Sequence, residues 1–184
     1  MVRFLIPDES ALSYLTVVHP AVGPLSVAVD ARGAVVTVEF GAGRVDTPSL
    51  APLKERLTRY FAGDDHGVEI CVAPRGLTAM QQSVLKAIAE IQSGCVSSYS
   101  AVAQSAGYPT SVRAVATAVG RNPVPVLVPC HRVLPVAAAR HWDTAAESLL
   151  DHPGELGHFT PCDSLKPLLL RHDSTLKKLK KRVF

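Results

Sequence analysis

The sequence predicts an α+β chain in two parts: a small N-terminal domain of strands and one helix, then a helical domain with a helix-turn-helix pattern. Three observations carry this. Short runs of β-branched and aromatic residues, separated by turn residues, fill the first 72 positions. Amphipathic stretches with capping residues follow Thr78. Between them, Ala73-Pro74-Arg75-Gly76 reads as a linker. The expected boundaries are a domain over 1–72, a linker over 73–77, a second domain over 78–174 and a basic tail over 175–184.

Within the first domain, Tyr14–Val18, Leu25–Val29 and Val35–Phe40 read as strands, with Asp30-Ala31-Arg32-Gly33 as the hairpin turn between the last two. A helix then places Leu50, Leu53, Leu57, Tyr60 and Phe61 on one face, with Pro52 in its first turn, where proline is tolerated. Val68–Val72 reads as another short strand. In the second domain Thr78 caps a helix whose apolar face is Met80, Val84, Leu85, Ile88 and Ile91, ended by Gly94. A second helix is expected from about Ser100 to Ala106. Gly107-Tyr108-Pro109 makes a tight turn, and a third helix runs from about Ser111 to Gly120, capped by Thr110 or Ser111. Two short helices joined by a glycine-containing turn fit a helix-turn-helix, although the pattern alone favours an ordinary helical hairpin. The third helix carries one arginine, Arg113, among small and apolar residues. It lacks the polar side chains that read base edges in the major groove. Such a helix either lies close to a nucleic-acid backbone, with Arg113 filling the gap left by a displaced base, or packs a core with Arg113 in solvent.

The chain has 184 residues, 47% of them hydrophobic, enough to bury a core. It contains no run of about 18 apolar residues, and the N-terminus lacks the apolar stretch and cleavage site of a signal peptide. A cytoplasmic protein that does not engage a membrane is expected. Cys71, Cys95, Cys130 and Cys162 are spaced by 24, 35 and 32 residues, which is neither a zinc pattern nor a dense disulfide framework. Residues 1–78 hold seven Lys/Arg against nine Asp/Glu, and residues 79–184 hold twelve against seven. A basic half suits a polyanionic partner. Five of its positive charges, Lys177, Lys178, Lys180, Lys181 and Arg182, crowd the end of the chain, where a solvated tail accounts for them as well.

Pro129-Cys130-His131-Arg132-Val133 follows the apolar run Val124–Val128. A cysteine beside a histidine at the end of a buried segment fits an activated thiolate nucleophile, because a neighbouring base raises the thiolate fraction. An inert buried cysteine has the same local appearance.

Three stretches together go further: Gly107-Tyr108-Pro109, Arg113-Ala114-Val115, and Asn122-Pro123-Val124-Pro125-Val126-Leu127-Val128-Pro129-Cys130-His131-Arg132-Val133. They resemble the O6-alkylguanine-DNA alkyltransferases, also called methylated-DNA–protein-cysteine methyltransferases. The resemblance runs without a gap over Val96–Val133, reaches back through Gln81, Val84 and Ser98-Tyr99, and touches Pro20–Leu25, which looks like the family's first hairpin. It implies a ribonuclease-H-like N-terminal domain and a winged-helix-like C-terminal one. It implies a protein, cytoplasmic or on the nucleoid of a prokaryote, that enters the minor groove of double-stranded DNA and flips O6-alkylguanine out of the stack; a monomer is the default expectation. The alkyl group passes irreversibly to Cys130 in a single turnover, with no metal or organic cofactor. His131 is then the base, acting through a bound water, Asn122 braces the turn, and Asp173 orients His131 where the family has glutamate. Tyr99 contacts the flipped guanine and the rotated phosphate and helps supply the proton that the departing guanine needs. Arg113 fills the vacated stack, with Thr110, Ala114, Thr117 and Arg121 also at the DNA. Met80, Val133, Phe159 and Thr160 line the substrate pocket.

The chain departs from the pattern after Val133. Leu134–Leu156 is an insertion longer by roughly a dozen residues, with a helix-like stretch at Thr144–Leu150. Phe159 replaces a pocket tyrosine, and Pro161-Cys162 replaces a glycine pair, which stiffens the loop. Trp142 either stacks on a base or covers apolar surface. Cys162 is a second acceptor, a redox partner or simply a small residue in place of glycine. An alkyltransferase-like damage sensor, which binds without transfer, is the alternative reading. A transcription regulator would need base-reading residues on the third helix, and a thiol hydrolase an oxyanion hole.

Overall fold

The computed structural model describes residues 1–41, 43–64, 68–160 and 162–182, with side chains described as far as Lys177. Pro161 and the side chains of Lys178, Lys180, Lys181 and Arg182 lie outside the described residues. The chain is a mixed α/β protein that divides into two compact units, Met1–Gly76 with Pro123–Pro125, and Leu77–Asn122 with Val126–Phe184.

The first unit contains β1 (Val2–Phe4), β2 (Ser13–His19), β3 (Gly23–Val29), β4 (Val35–Phe40), α1 (Ala51–Phe61) and β5 (Ile70–Val72). The five strands form one sheet in the order β1-β5-β4-β3-β2. β2, β3 and β4 make an antiparallel meander, and β5 runs parallel to both β4 and β1. The β3–β4 turn is closed by Asp30, whose Oδ1 accepts the amides of Arg32 and Ala34 at 3.0 and 2.9 Å. Gly33 supplies the left-handed residue there, at φ +78°. Every residue from Leu25 to Val29 is buried, so β3 is covered on both faces rather than alternating, and the one polar member, Ser26, donates to the Gly41 carbonyl. α1 packs on β2 and buries Leu53, Leu57 and Phe61. The three long strands and the helix lie where their sequence patterns put them. β1 had no pattern of its own, and the strand expected over Val68–Val72 shortens to Ile70–Val72. Pro123 belongs here because its carbonyl accepts the Val38 amide at 2.9 Å.

The second unit contains α2 (Ala79–Ala89), β6 (Ser97–Ser98), α3 (Tyr99–Ser105), α4 (Val112–Gly120), β7 (Val133–Leu134), α5 (Val136–Asp151) and α6 (Leu165–Arg182). Thr78 and Gln81 form a reciprocal capping box at the start of α2. α2 stops at Ala89, short of the expected Gly94, because the backbone tightens: the Ile91 amide bonds the Ile88 carbonyl at 3.0 Å. α3 begins one residue earlier than expected, capped by the Ser98 hydroxyl. It ends in a Schellman arrangement around Gly107, with Tyr108 and Gly107 donating to the carbonyls of Ala103 and Gln104. Ser111 takes the N-cap position of α4 without a side-chain bond.

The helix expected over Thr144–Leu150 is longer: α5 starts directly after Pro135 and is kinked at Ala145 (φ −131°, ψ 20°). Its Ala138, Trp142, Leu149 and Leu150 join Leu134, Leu156 and Leu170 in a hydrophobic cluster. Trp142 is 4% exposed, so it covers apolar surface rather than offering a ring to a base. Among the described residues no helix is long and apolar enough to cross a membrane.

Candidate active site

The site lies wholly in the second unit. β6 pairs with β7 in parallel, Ser97 opposite Val133 and Ser98 opposite Leu134. This pairing brings the start of α3, with Tyr99, beside the turn Cys130–Arg132 that leads into β7. The approach to that turn is strained. Val126 sits at φ +72°, a left-handed conformation that is costly for a β-branched residue, and it is held there by burial. The Asn122 amide donates to the Val128 carbonyl at 2.8 Å and fixes the segment before Pro129.

Cys130 is buried, yet it lines a cavity of about 430 Å3, within the range of small-molecule sites. The cavity is bounded by Tyr99 from α3, by Arg113, Ala116, Thr117 and Gly120 from α4, by Asn122, and by Gly157–Thr160 from the loop before α6. Met80 and Val133 are not among its lining residues. Met80 is half-buried on α2, and Val133 is wholly buried in β7. On α4, Val115, Ala118 and Val119 face the core, while Arg113, Ala114, Thr117 and Gly120 are exposed, as is Arg121 at its C-cap. The outer face of this helix is therefore small side chains edged by two arginines. Thr110 is exposed just ahead of it.

Behind Cys130, the His131 Nε2 lies 3.0 Å from Asp173 Oδ2, both residues buried. An ionised carboxylate only accepts, so Nε2 carries the proton and donates. Nδ1 is then an acceptor, and it is buried with no hydrogen-bond partner among the described residues. Burial pushes the His131 pKa down, only partly offset by Asp173, so the imidazole is neutral. Asp173 would be pushed up by burial. Bonds from His131 and Arg132 outweigh that and hold it well below the usual carboxylate range. Phe159 stands edge-on to His131, centroids 6.5 Å apart.

For Cys130, burial pushes the thiol pKa up, while the Asn122 amide and the charge of Lys166 pull it down. Tyr99 is shifted up by burial and by the thiolate charge of Cys130, so it is a protonated phenol near neutrality.

Several contacts escaped the sequence patterns. Arg132 donates to Asp173 through Nε (2.6 Å) and Nη2 (2.8 Å) and to the Ile91 carbonyl. Ser93 donates to Asp173 Oδ1 at 3.0 Å. Asp163 ties the loop carrying Phe159, accepting the Phe159 amide at 2.6 Å and facing His158 Nδ1 at 3.0 Å. Lys166 is buried beside them. One signal was available: Lys166, Leu169, Leu170 and Asp173 fall at i, i+3, i+4 and i+7 on α6, two charges on an otherwise apolar face.

Residues 79–143 match the family described as 6-O-methylguanine DNA methyltransferase, DNA binding domain. The chain is 42% identical over 89 residues to the constitutive methylated-DNA–protein-cysteine methyltransferase of Bacillus subtilis, a match over 48% of this chain and 53% of that protein. It is 32% identical over 130 residues to the methylated-DNA–protein-cysteine methyltransferase of Methanosarcina acetivorans, over 66% of this chain and 83% of that protein. Among solved structures, the O6-methylguanine methyltransferase of Mycobacterium tuberculosis is similar at TM-score 0.64 and 27% identity, over 90% of this chain and 94% of that one. The Mycobacterium tuberculosis protein solved in complex with DNA gives TM-score 0.67 at 25% identity, over 89% of this chain and 93% of that one. The chain belongs to the methylated-DNA–protein-cysteine methyltransferase family.

Proposed function

We infer that this chain repairs DNA by transferring an alkyl group from O6 of a guanine to Sγ of its own Cys130, once per molecule. The observation that carries the reading is a buried cysteine lining a cavity, with a neutral histidine behind it and a small-residue helix along its edge. The target base is flipped from double-stranded DNA into that cavity, since its O6 substituent is out of reach in the stack. The Cys130 proton passes to His131 Nδ1 through a water, and Asp173 stabilises the charge that develops on the imidazole. The thiolate attacks the alkyl carbon, the S–C bond forms as the C–O6 bond breaks, and guanine leaves with a proton supplied from the Tyr99 side. No metal or organic cofactor takes part in this scheme.

In this reading α4 enters the minor groove. Arg113 fills the space left by the base, Ala114 and Thr117 lie close to the backbone, and Thr110 and Arg121 meet phosphates. Asn122 braces the turn, and Phe159 and Thr160 wall the base. The division of labour follows: residues 1–72 form a structural, ribonuclease-H-like domain, and 78–174, winged-helix-like, does the work. The protein acts as a monomer in the cytoplasm, on the nucleoid in a prokaryote. A damage sensor without transfer would need a blocked nucleophile, whereas Cys130 lines the cavity.

The test is intact-protein mass spectrometry after mixing with a duplex containing O6-methylguanine. One methyl group per protein is expected, located on Cys130, with none on Cys130→Ser, which keeps its DNA binding. Tight lesion binding with unchanged mass in the parent protein would refute transfer.

A further inference from the structure

The buried face of α6 carries a second charged residue that the transfer scheme leaves unused. Lys166 is 1% exposed. Its Nζ donates to the carbonyls of Val133 (2.9 Å), Leu156 (2.7 Å) and His158 (3.5 Å). These acceptors come from three separate pieces of the site: β7 just after the Cys130 turn, the end of the inserted segment, and the loop that walls the cavity. Three acceptors need three N–H groups, which an ammonium has and a neutral amine lacks. A buried ammonium whose hydrogen bonds all run to carbonyls is costly to hold, so a negative charge developing nearby is favoured.

The groups facing it are few. Cys130 on its turn and Asp163 ahead of α6 both favour the cation. His131 is disfavoured as a cation by Lys166, and Arg132 is already bonded to Asp173. Tyr99 across the cavity is a protonated phenol near neutrality. We propose that Lys166 is a positioning residue for Cys130: its ammonium clamps three segments of the cavity wall and serves as the buried counter-cation of the thiolate. The proposal rests on Cys130 being the nucleophile. Burial lowers the Lys166 pKa to about 8, with Cys130 and Asp163 pulling it back up. The cation is therefore largely present at neutral pH. The coupling is reciprocal, each charge favouring the other.

The experiment is the rate of Cys130 alkylation by iodoacetamide against pH, followed on the Cys130 peptide in the full-length chain. Lys166→Met is expected to move the profile to higher pH by about one unit, with roughly tenfold lower reactivity at pH 7. Lys166→Arg should recover most of it, which a packing role would not require. Superimposable profiles for Lys166→Met and the parent would overturn the assignment. Should Lys166→Met fail to fold, the reciprocal measurement decides. The Lys166 side chain is titrated by NMR with 13Cε-labelled lysine in the parent and in Cys130→Ser. A lower midpoint is expected without the thiolate, and equal midpoints would overturn the proposal. Iodoacetamide needs no DNA, so a parent protein with this thiol behaviour but no methyl transfer would sink the repair reading and leave the lysine assignment standing.

Discussion

Asp173 accepts four hydrogen bonds on two oxygens: His131 and Arg132 on Oδ2, Arg132 and Ser93 on Oδ1. That concentration fixes the histidine tautomer, because an oxygen that can only accept leaves the proton on Nε2 and the lone pair on Nδ1. Asp173→Asn replaces one acceptor with a donor. It should slow transfer from an O6-methylguanine duplex by roughly 10²-fold or more in a single-turnover assay, the scale of a lost general base. A rate within a factor of two of the parent would show that His131 is not the proton acceptor. At this scale the sequence was readable where a motif was continuous. Cys130, His131 and Asn122 stand in one block, and Asp173 could be reached by counting along the C-terminal helix from the resemblance. Arg132 stood in the same block, but its partners did not: Asp173 is 41 residues on, and no local pattern reports which carboxylate a guanidinium will find. Lys166 escaped for a different reason. Long cations usually keep their heads in water, so a lysine among leucines gives no local sign that its ammonium is buried.

At the scale of elements, α5 is a built part of the second unit, packed against β7 through the cluster around Trp142. Trp142 anchors it to Leu134, which follows Val133, and to Leu156, whose carbonyl holds Lys166. The Arg171 pairs to Glu147 and Asp151 lie on the surface and add little. Trp142→Ala should therefore cost about 3–5 kcal/mol. In a chain of this size that lowers the melting midpoint by roughly 6–20 °C. Calorimetry showing a midpoint within 2 °C of the parent would mean that the cluster does not hold α5. Only half of this helix was legible. Its first turns, Val136-Ala137-Ala138-Ala139, offer little contrast between faces, and the kink at Ala145 breaks the period between Trp142 and Leu149. The strands of the first unit were clear because β-branched runs and the Asp30–Gly33 turn are local signals.

At the scale of the whole molecule, what periodicity could not supply was pairing across long separations. Val2–Phe4 is a strand only because β5, starting at Ile70, lies parallel to it. Pro123–Pro125 joins the first unit through a main-chain bond to β4, although its sequence reads as the approach to the nucleophile. Charge is also distributed at this scale, and it predicts how stability responds to acid. His131 is buried and its pKa is lowered from 6.5, so the unfolded chain takes up a proton there before the folded one does. Its contribution is fully present above about pH 6.5 and is lost as pH falls towards the folded pKa. Asp173, lowered from 3.8 despite burial by its bonds to His131 and Arg132, behaves the same way in a lower window. Its contribution is present above about pH 4 and is lost below that, as the unfolded chain protonates first. The melting midpoint should thus decline in two limbs, one beginning below pH 6.5 and a second below pH 4. In Asp173→Asn the second limb should be shallower, because that carboxylate no longer titrates. A parent midpoint that is flat from pH 7 to pH 5 would contradict a histidine buried in its neutral form, and with it the assignment of Nδ1 as the resting proton acceptor beside Cys130.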